Sequence, residues 1–229
     1  MLLIGIGVLS AWGISSVADD PGAPTLTASD TASVSGNGFL FAQLLLVSLG
    51  VVFASGEWAS GAVRTSILAV DRRWHFLAGK ATVLVVAAVL VTAVSGLITL
   101  VSAIPFFSDL PYEAFGNDAM YHLGMLCLVA AMIVLMGLGL GVLIRNSAGG
   151  IVIGIGLLIV LPIVLGIISN WSDVVGDIAD YLPMNAAMTL TTPAPGPESI
   201  GHLSAFFTMV AWTVAILAPA SARLSRGDV

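Results

Sequence analysis

The densest run of side chains able to do chemistry is residues 57–74, Glu57-Trp58-Ala59-Ser60-Gly61-Ala62-Val63-Arg64-Thr65-Ser66-Ile67-Leu68-Ala69-Val70-Asp71-Arg72-Arg73-Trp74. Read as a helix, Ala59, Val63, Ile67, Val70 and Trp74 make one apolar stripe. Glu57, Gly61, Arg64, Leu68 and Arg72 line the other side. Such an element can anchor a loop to anionic lipid through its arginines, or it can dock into a partner protein. Its length and patterning favour docking.

Elsewhere, enzyme motifs are missing. Gly79-Lys80 is followed by Ala81, and no glycine stands five residues ahead of Gly79, so there is no P-loop. His75, His122 and His202 are scattered and form no HExxH. His122 and His202 have Asp118 and Glu198 near them in sequence, yet solvated interface histidines are expected there rather than a metal site. The single cysteine, Cys127, excludes a disulfide framework and any cysteine-based zinc site, and reads as a small apolar filler. Arg226-Gly227-Asp228 and the sequon Asn170-Trp171-Ser172 read as chance matches.

The elements that must position these groups follow from composition. Of 229 residues only 9% are charged, 7 basic and 13 acidic, and 58% are hydrophobic; soluble chains carry roughly 25% charged residues. Mean hydropathy is +1.07. A water-facing surface of that composition would expose apolar patches that soluble monomers do not tolerate. The net charge of −6 also argues against nucleic acid as a partner. The chain reads as an all-α integral membrane protein with a single transmembrane domain over residues 1–229.

A helix needs about 20 apolar residues to cross ~30 Å of hydrocarbon. Six runs qualify, at residues 1–18, 38–56, 78–104, 119–144, 147–169 and 203–222. Residues 1–18 could be a signal peptide ending at Ser16-Val17-Ala18, but no basic region precedes the apolar run, so a retained span is expected. Arg64, Arg72, Arg73 and Lys80 fall between the second and third runs, Arg145 between the fourth and fifth, and Arg223 and Arg226 after the sixth. These are alternate connections. All seven basic residues therefore share one side, which the positive-inside rule makes cytoplasmic, with both termini there. Ten of the thirteen acids fall on the other side: Asp19, Asp20, Asp30, Asp109, Glu113, Asp118, Asp173, Asp177, Asp180 and Glu198.

Within the outer segment 170–201, Val174, Val175, Ile178 and Leu182 recur at helical spacing opposite Asp173, Asp177 and Asp180. That predicts a short interfacial helix, turned by Pro183 into a second short piece over 185–190. Gly137-x3-Gly141 and Gly150-x3-Gly154 offer close helix approach in spans four and five. Pro162 is placed to kink the fifth. Met125, Met132 and Met136 share a stripe that could wall an apolar substrate path or simply pack. Gln43, inside the second span, could face such a path or bond to a neighbouring helix.

Glu57 leaving the second span, then Gly61, Arg64-x-x-Leu68, Arg72-Arg73 and Gly79-Lys80 opening the third, resemble the exporter-type permeases of ABC transporters. The similarity is to the small six-span bacterial subunits that work with a separate ATPase. Tyr181-Leu182-Pro183 and the ending Arg223-x-x-Arg226-Gly227-Asp228-Val229 agree with it. Two features depart: Asp71 stands where the family often has proline, and Met1 already lies in the first apolar run, where members usually begin with a basic cytoplasmic helix. The resemblance implies a coupling helix seated on the ATPase through Glu57, Trp58, Gly61, Arg64, Leu68, Asp71, Arg72 and Arg73. It further implies a second permease, identical or different, and spans two and five lining an exit path. ATP and magnesium would be bound by the partner subunit and no cofactor by this chain, which would sit in the bacterial plasma membrane. The substrate implied is a hydrophobic or amphipathic peptide, drug or lipid.

Two other classes stay open. A secondary transporter would place ionisable residues deep within its spans, and here Lys80 and His122 lie only near the ends of theirs, with no Asp, Glu, Lys or Arg in the interiors. A non-transporting membrane scaffold would share the composition.

Overall fold

The computed structural model of the chain describes residues 1–18, 31, 33–60, 73–107, 112–192 and 200–226. Among these there is no strand. Five helices are long and apolar enough to cross a membrane: α2 (Phe39–Ser60), α3 (Arg73–Ala103), α4 (Asn117–Ile144), α5 (Ser147–Ser169) and α8 (His202–Arg226). α1 (Leu2–Ala18) precedes them, and two short helices, α6 (Asp173–Asp180) and α7 (Pro183–Thr191), join α5 to α8. This is the architecture of a multi-pass membrane protein, since only intrahelical bonding satisfies every backbone group of a single segment in hydrocarbon.

α4 is the centre of the bundle. It packs against α2, α3, α5, α7 and α8, and 67% of its apolar window is buried, against 11% for α5 at the periphery. The central position depends on small residues. Gly137 lies directly on the Val47 backbone, and a Cβ added at Gly141 would come within 2.6 Å of the Val51 carbonyl oxygen. Gly150 and Gly154 of α5 pack on the side chains of the same two residues, Val51 and Val47. Both glycine pairs therefore serve one helix, α2, which packs closely on α4 and α5.

α5 is not a uniform α-helix. Ser147–Ile155 and Leu161–Ser169 are α-helical, separated by a π-helical turn, Gly156–Val160, which the Leu161 N–H closes onto the Gly156 carbonyl. Pro162 has no N–H to donate, so the wider turn just before it accommodates the proline without an orphaned donor. The α4–α5 turn is tight. Arg145 adopts a left-handed conformation at φ 55°, and the Asn146 side chain accepts the Gly149 N–H at 3.0 Å to cap α5.

α1 is apolar but shorter than the five long helices. Its 17 residues rise about 25 Å, less than the ~30 Å of hydrocarbon. Its register also places it beside only part of α3: Gly7 packs on Thr99, and Ala11 shares a buried cluster with Val34, Ala103 and Phe107. Met1 borders a cleft of about 490 Å³ with Leu45, Leu49, Val91 and Ser95. Met1 thus lies beside the middle of α3.

The described basic side chains share one end of the bundle. Lys80 Nζ donates to the Phe53 carbonyl oxygen at 3.1 Å and lies 5.2 Å from the Phe53 ring centroid. Arg223 Nη1 donates to the Leu143 carbonyl oxygen beside the Arg145 turn. Ser55 and Ser147 hydroxyls meet at 2.7 Å, tying α2 to α5 there. At the opposite end, the Tyr112 hydroxyl donates to the Leu100 carbonyl at 2.6 Å, and burial pushes its pKa up to about 12.

Candidate functional site

The expected coupling surface lies largely outside the described residues. That holds for Gly61, Arg64, Leu68, Asp71 and Arg72, and so for the amphipathic helix expected between spans two and three. Glu57 and Trp58 belong to the last turn of α2, and Arg73 is the first residue of α3. Both helix ends emerge at the basic end of the bundle.

The opposite end holds a cavity. It measures about 320 Å³ and is lined by residues of α2, α4, α7 and the segment ahead of α2, among them Gly36, Leu40, Gln43, His122, Met184 and Thr191. α7 forms its roof and is held by its own carboxyl end. The last carbonyls of a helix have no intrahelical partner. Here Leu190 accepts from the Tyr121 hydroxyl at 3.2 Å, Thr191 is hydrogen-bonded by His122 Nδ1, and Thr192 by His202 Nε2 at 2.9 Å. The Tyr121 and His202 rings also meet, tilted, at 5.6 Å between centroids. At the junction of the two short helices, the Trp212 indole donates to the Tyr181 carbonyl at 2.9 Å, and the Asn185 amide to that of Ala179 at 2.8 Å. α4 and α8 thus fix α7 at both ends.

His122 corrects the sequence expectation. It is 4% exposed, a buried histidine rather than a solvated one. The signal was its place: three residues inside the apolar run that starts at Ala119, where a ring must turn inward or leave the hydrocarbon. His202 is half-buried through its contacts with Thr192 and Tyr121. Among the described residues no group of three metal-ligating side chains forms.

Compared with family models and with curated proteins, the chain matches none. The reading of the site therefore rests on its own geometry.

A carbonyl oxygen can only accept, so His122 Nδ1 carries the proton in that bond and the neutral ring has a lone pair on Nε2. That atom is buried without a hydrogen-bond partner, and so is Gln43 Oε1, on a residue also 4% exposed. A Cβ on Gly36 would collide with His122 Nε2, so only glycine fits between the ring and the segment ahead of α2. Both residues line the one cavity, although the two unsatisfied atoms are themselves covered. Gln43 was read as either facing a path or bonding to a neighbouring helix, and its side-chain oxygen is bonded to none. The methionine stripe is divided: Met132 and Met136 are buried in the main core and only Met125 is partly open. None of the three lines this cavity.

A second, apolar cavity of about 350 Å³ shares Leu40 and Met184 with the first, and continues along Ile159, Pro162, Ile163 and Asn185. Its wall includes the π turn of α5 and the proline behind it. π turns inside α-helices frequently mark functional positions, and this one contributes Ile159 to the wall of the second cavity.

Proposed function

We propose that this chain is the membrane-embedded permease subunit of an ATP-driven exporter, moving a hydrophobic or amphipathic molecule across a bacterial plasma membrane in company with a separate ATPase. The observation that carries the reading is the pairing of two ends: a basic end, where α2 and α3 deliver the Glu57–Arg73 connection, and an outer end with a partly polar cavity roofed by α7. No ionisable group other than His122 stands in the wall of that cavity, which disfavours an ion-coupled secondary transporter. In this reading the basic end and the carboxyl terminus are cytoplasmic by the positive-inside rule. α1 is a sixth membrane-embedded segment lying beside the outer half of α3. A second permease, identical or different, completes the path.

Two measurements test this. With Cys127 replaced by alanine, a cysteine at Glu113 or Asp177 should react with an impermeant thiol reagent on intact cells, and one at Ala148 should react only after lysis. The reverse pattern would overturn the orientation. Purified alone, the chain should neither bind nor hydrolyse ATP, whereas purification from its native membrane should bring down a nucleotide-binding subunit whose hydrolysis is stimulated by substrate. ATP turnover by the isolated chain, or a chain that transports with no ATPase present, would sink the exporter reading.

A further inference from the structure

We propose that the seam between α2 and α3 binds one phospholipid of the leaflet at the basic end of the bundle, with its phosphate at Lys80 and one acyl chain lying along the cleft of about 490 Å³. Such a site needs only that α2 and α3 lie in a bilayer, whatever the chain transports.

The acyl chain follows from the shape and chemistry of the cleft. Leu3, Leu46 and Thr92 are buried and make its floor, while Leu45, Leu49 and Val91 stand exposed and make its rims. The Ser48 hydroxyl donates to the Leu44 carbonyl of its own helix at 2.7 Å, so it offers little to a polar ligand. A helix, about 10 Å across with its side chains, would rest on the rims, whereas an extended alkyl chain reaches the floor. In hydrocarbon the gain is one of packing, because a cleft left unfilled deprives its lining of contacts.

The head group follows from where the cleft leads. It extends along α2 from Ala42 to Val52, and the next residue is Phe53, whose carbonyl and ring hold Lys80. On α3, Lys80 and the lining residues Val91 and Ser95 recur at helical spacing and share a face. From Phe53 back to Ala42 is about 16 Å at ~1.5 Å per residue, close to half of the ~30 Å hydrocarbon core. A chain with its phosphate at Lys80 therefore crosses its own leaflet and ends beside Ala42 and Leu3, which packs on Gly38 at that far end. Lysine suits the near end, since its apolar stem lies along the helix while the ammonium reaches the head groups. An ammonium carries three donors, of which the Phe53 carbonyl takes one, and no acidic side chain lines the cleft.

The test places the full chain in phosphatidylcholine nanodiscs with a trace of phosphatidylglycerol carrying a diazirine at the end of one acyl chain. Irradiation and peptide mass spectrometry locate the adducts, and those on the exposed residues Val152 and Ile167 of α5 count ordinary lipid contact. Adducts at Leu3, Ala42 and Leu45 should exceed the α5 level about fivefold or more, and fall as unlabelled phosphatidylglycerol is added. Moving the diazirine next to the glycerol should shift them to Val52 and Phe53. Leu49→Trp, which fills the cleft from its rim, should bring the signal down to the α5 level. Lys80→Gln should lower it about fivefold, the scale of one basic side chain at a lipid surface. The same substitution should change nothing for a diacylglycerol with the same labelled chain, which has no phosphate. Thermal unfolding checks that both variants keep the bundle; if Lys80→Gln does not, Leu49→Trp decides alone. Adducts at the α5 level, a reversed order of the two probes, or unchanged labelling in a variant that keeps the bundle would overturn the proposal. So would an intermolecular disulfide formed by Leu49→Cys in a Cys127→Ala background, which would put a second copy over the cleft.

Discussion

Gly137→Val is expected to destroy the bundle's packing, whereas Gly124→Ala, thirteen residues earlier on the same helix, should leave it as stable as before or slightly more so. The difference lies in what each new Cβ meets. At Gly137 it runs into the Val47 carbonyl oxygen, and Val47 is backbone in the middle of α2. A side chain could rotate away; a helix cannot, so α2 must move outward as a body. That motion also strips Gly141 from Val51 and Ala54, and disturbs the seating of the Val51 and Val47 side chains on Gly150 and Gly154. Overpacking of a flexible core costs ~1–3 kcal/mol, and a backbone-on-backbone clash that unseats two helix contacts should sit at or above the top of that range. At Gly124 nothing lies within 4 Å of the added Cβ, and removing glycine from a helix interior gains ~0.5–1 kcal/mol. Thermal unfolding in detergent reads both. Equal midpoints for the two variants would mean that α2 and α4 do not approach as closely as described.

Most long helices were legible because the bilayer imposes one simple demand on sequence. The runs 119–144 and 147–169 match α4 and α5 to within two residues, since Arg145 and Asn146 interrupt the apolar pattern where the chain turns. Hydropathy reads only the portion in hydrocarbon, so it missed the first turn of α3 from Arg73 and the last turn of α8 to Arg226. α1 shows the limit of counting. Its composition satisfies a span, but its depth is set by how Gly7 meets Thr99 and Ala11 meets Ala103, which no single-segment pattern contains.

The cavity was half legible for the same reason. Gln43 stood out as a polar group in an apolar run, and its burial follows. His122 was assigned to the wrong environment because proximity to Asp118 in sequence suggested an interface. What decides it is a partner 69 residues away, the Thr191 carbonyl, exposed only because α7 ends there. Roofing by α7 depends on three such long-range bonds, from Tyr121, His122 and His202. The short helices themselves were foreseen from Val174, Val175 and Ile178 and from Pro183, although Val174 and Ile178 turn out to face outward with Trp171 and Tyr181. Apolar and aromatic groups exposed at this level suit the membrane interface rather than a protein core.

The largest functional effect is expected at the other end of the bundle, from Glu57→Ala and Arg64→Ala. α2 continues one turn beyond Phe53, whose carbonyl and ring already hold Lys80, so Glu57 stands where the apolar run ends. A charge there must be paired or hydrogen-bonded to offset its desolvation. Arg64 is seven residues further on, about 10 Å along a straight helix at ~1.5 Å per residue, too far for a direct pair within one element. Each must then find its partner elsewhere, and in the exporter reading that partner is the ATPase. Breaking a buried pair by removing one member costs ~3–5 kcal/mol, against under ~1 kcal/mol at an exposed site; at ~1.4 kcal/mol per tenfold, the buried case weakens association by a hundredfold or more. Both variants should therefore reach the membrane in normal amounts yet lose co-purifying ATPase, or retain it with hydrolysis no longer stimulated by substrate. Arg223→Ala is the control, because its guanidinium is engaged by the Leu143 carbonyl of this same chain and its loss should leave ATPase association unchanged. If Glu57→Ala and Arg64→Ala both behave as the parent, the connection is a lipid anchor, and the force-transmitting role passes from these residues.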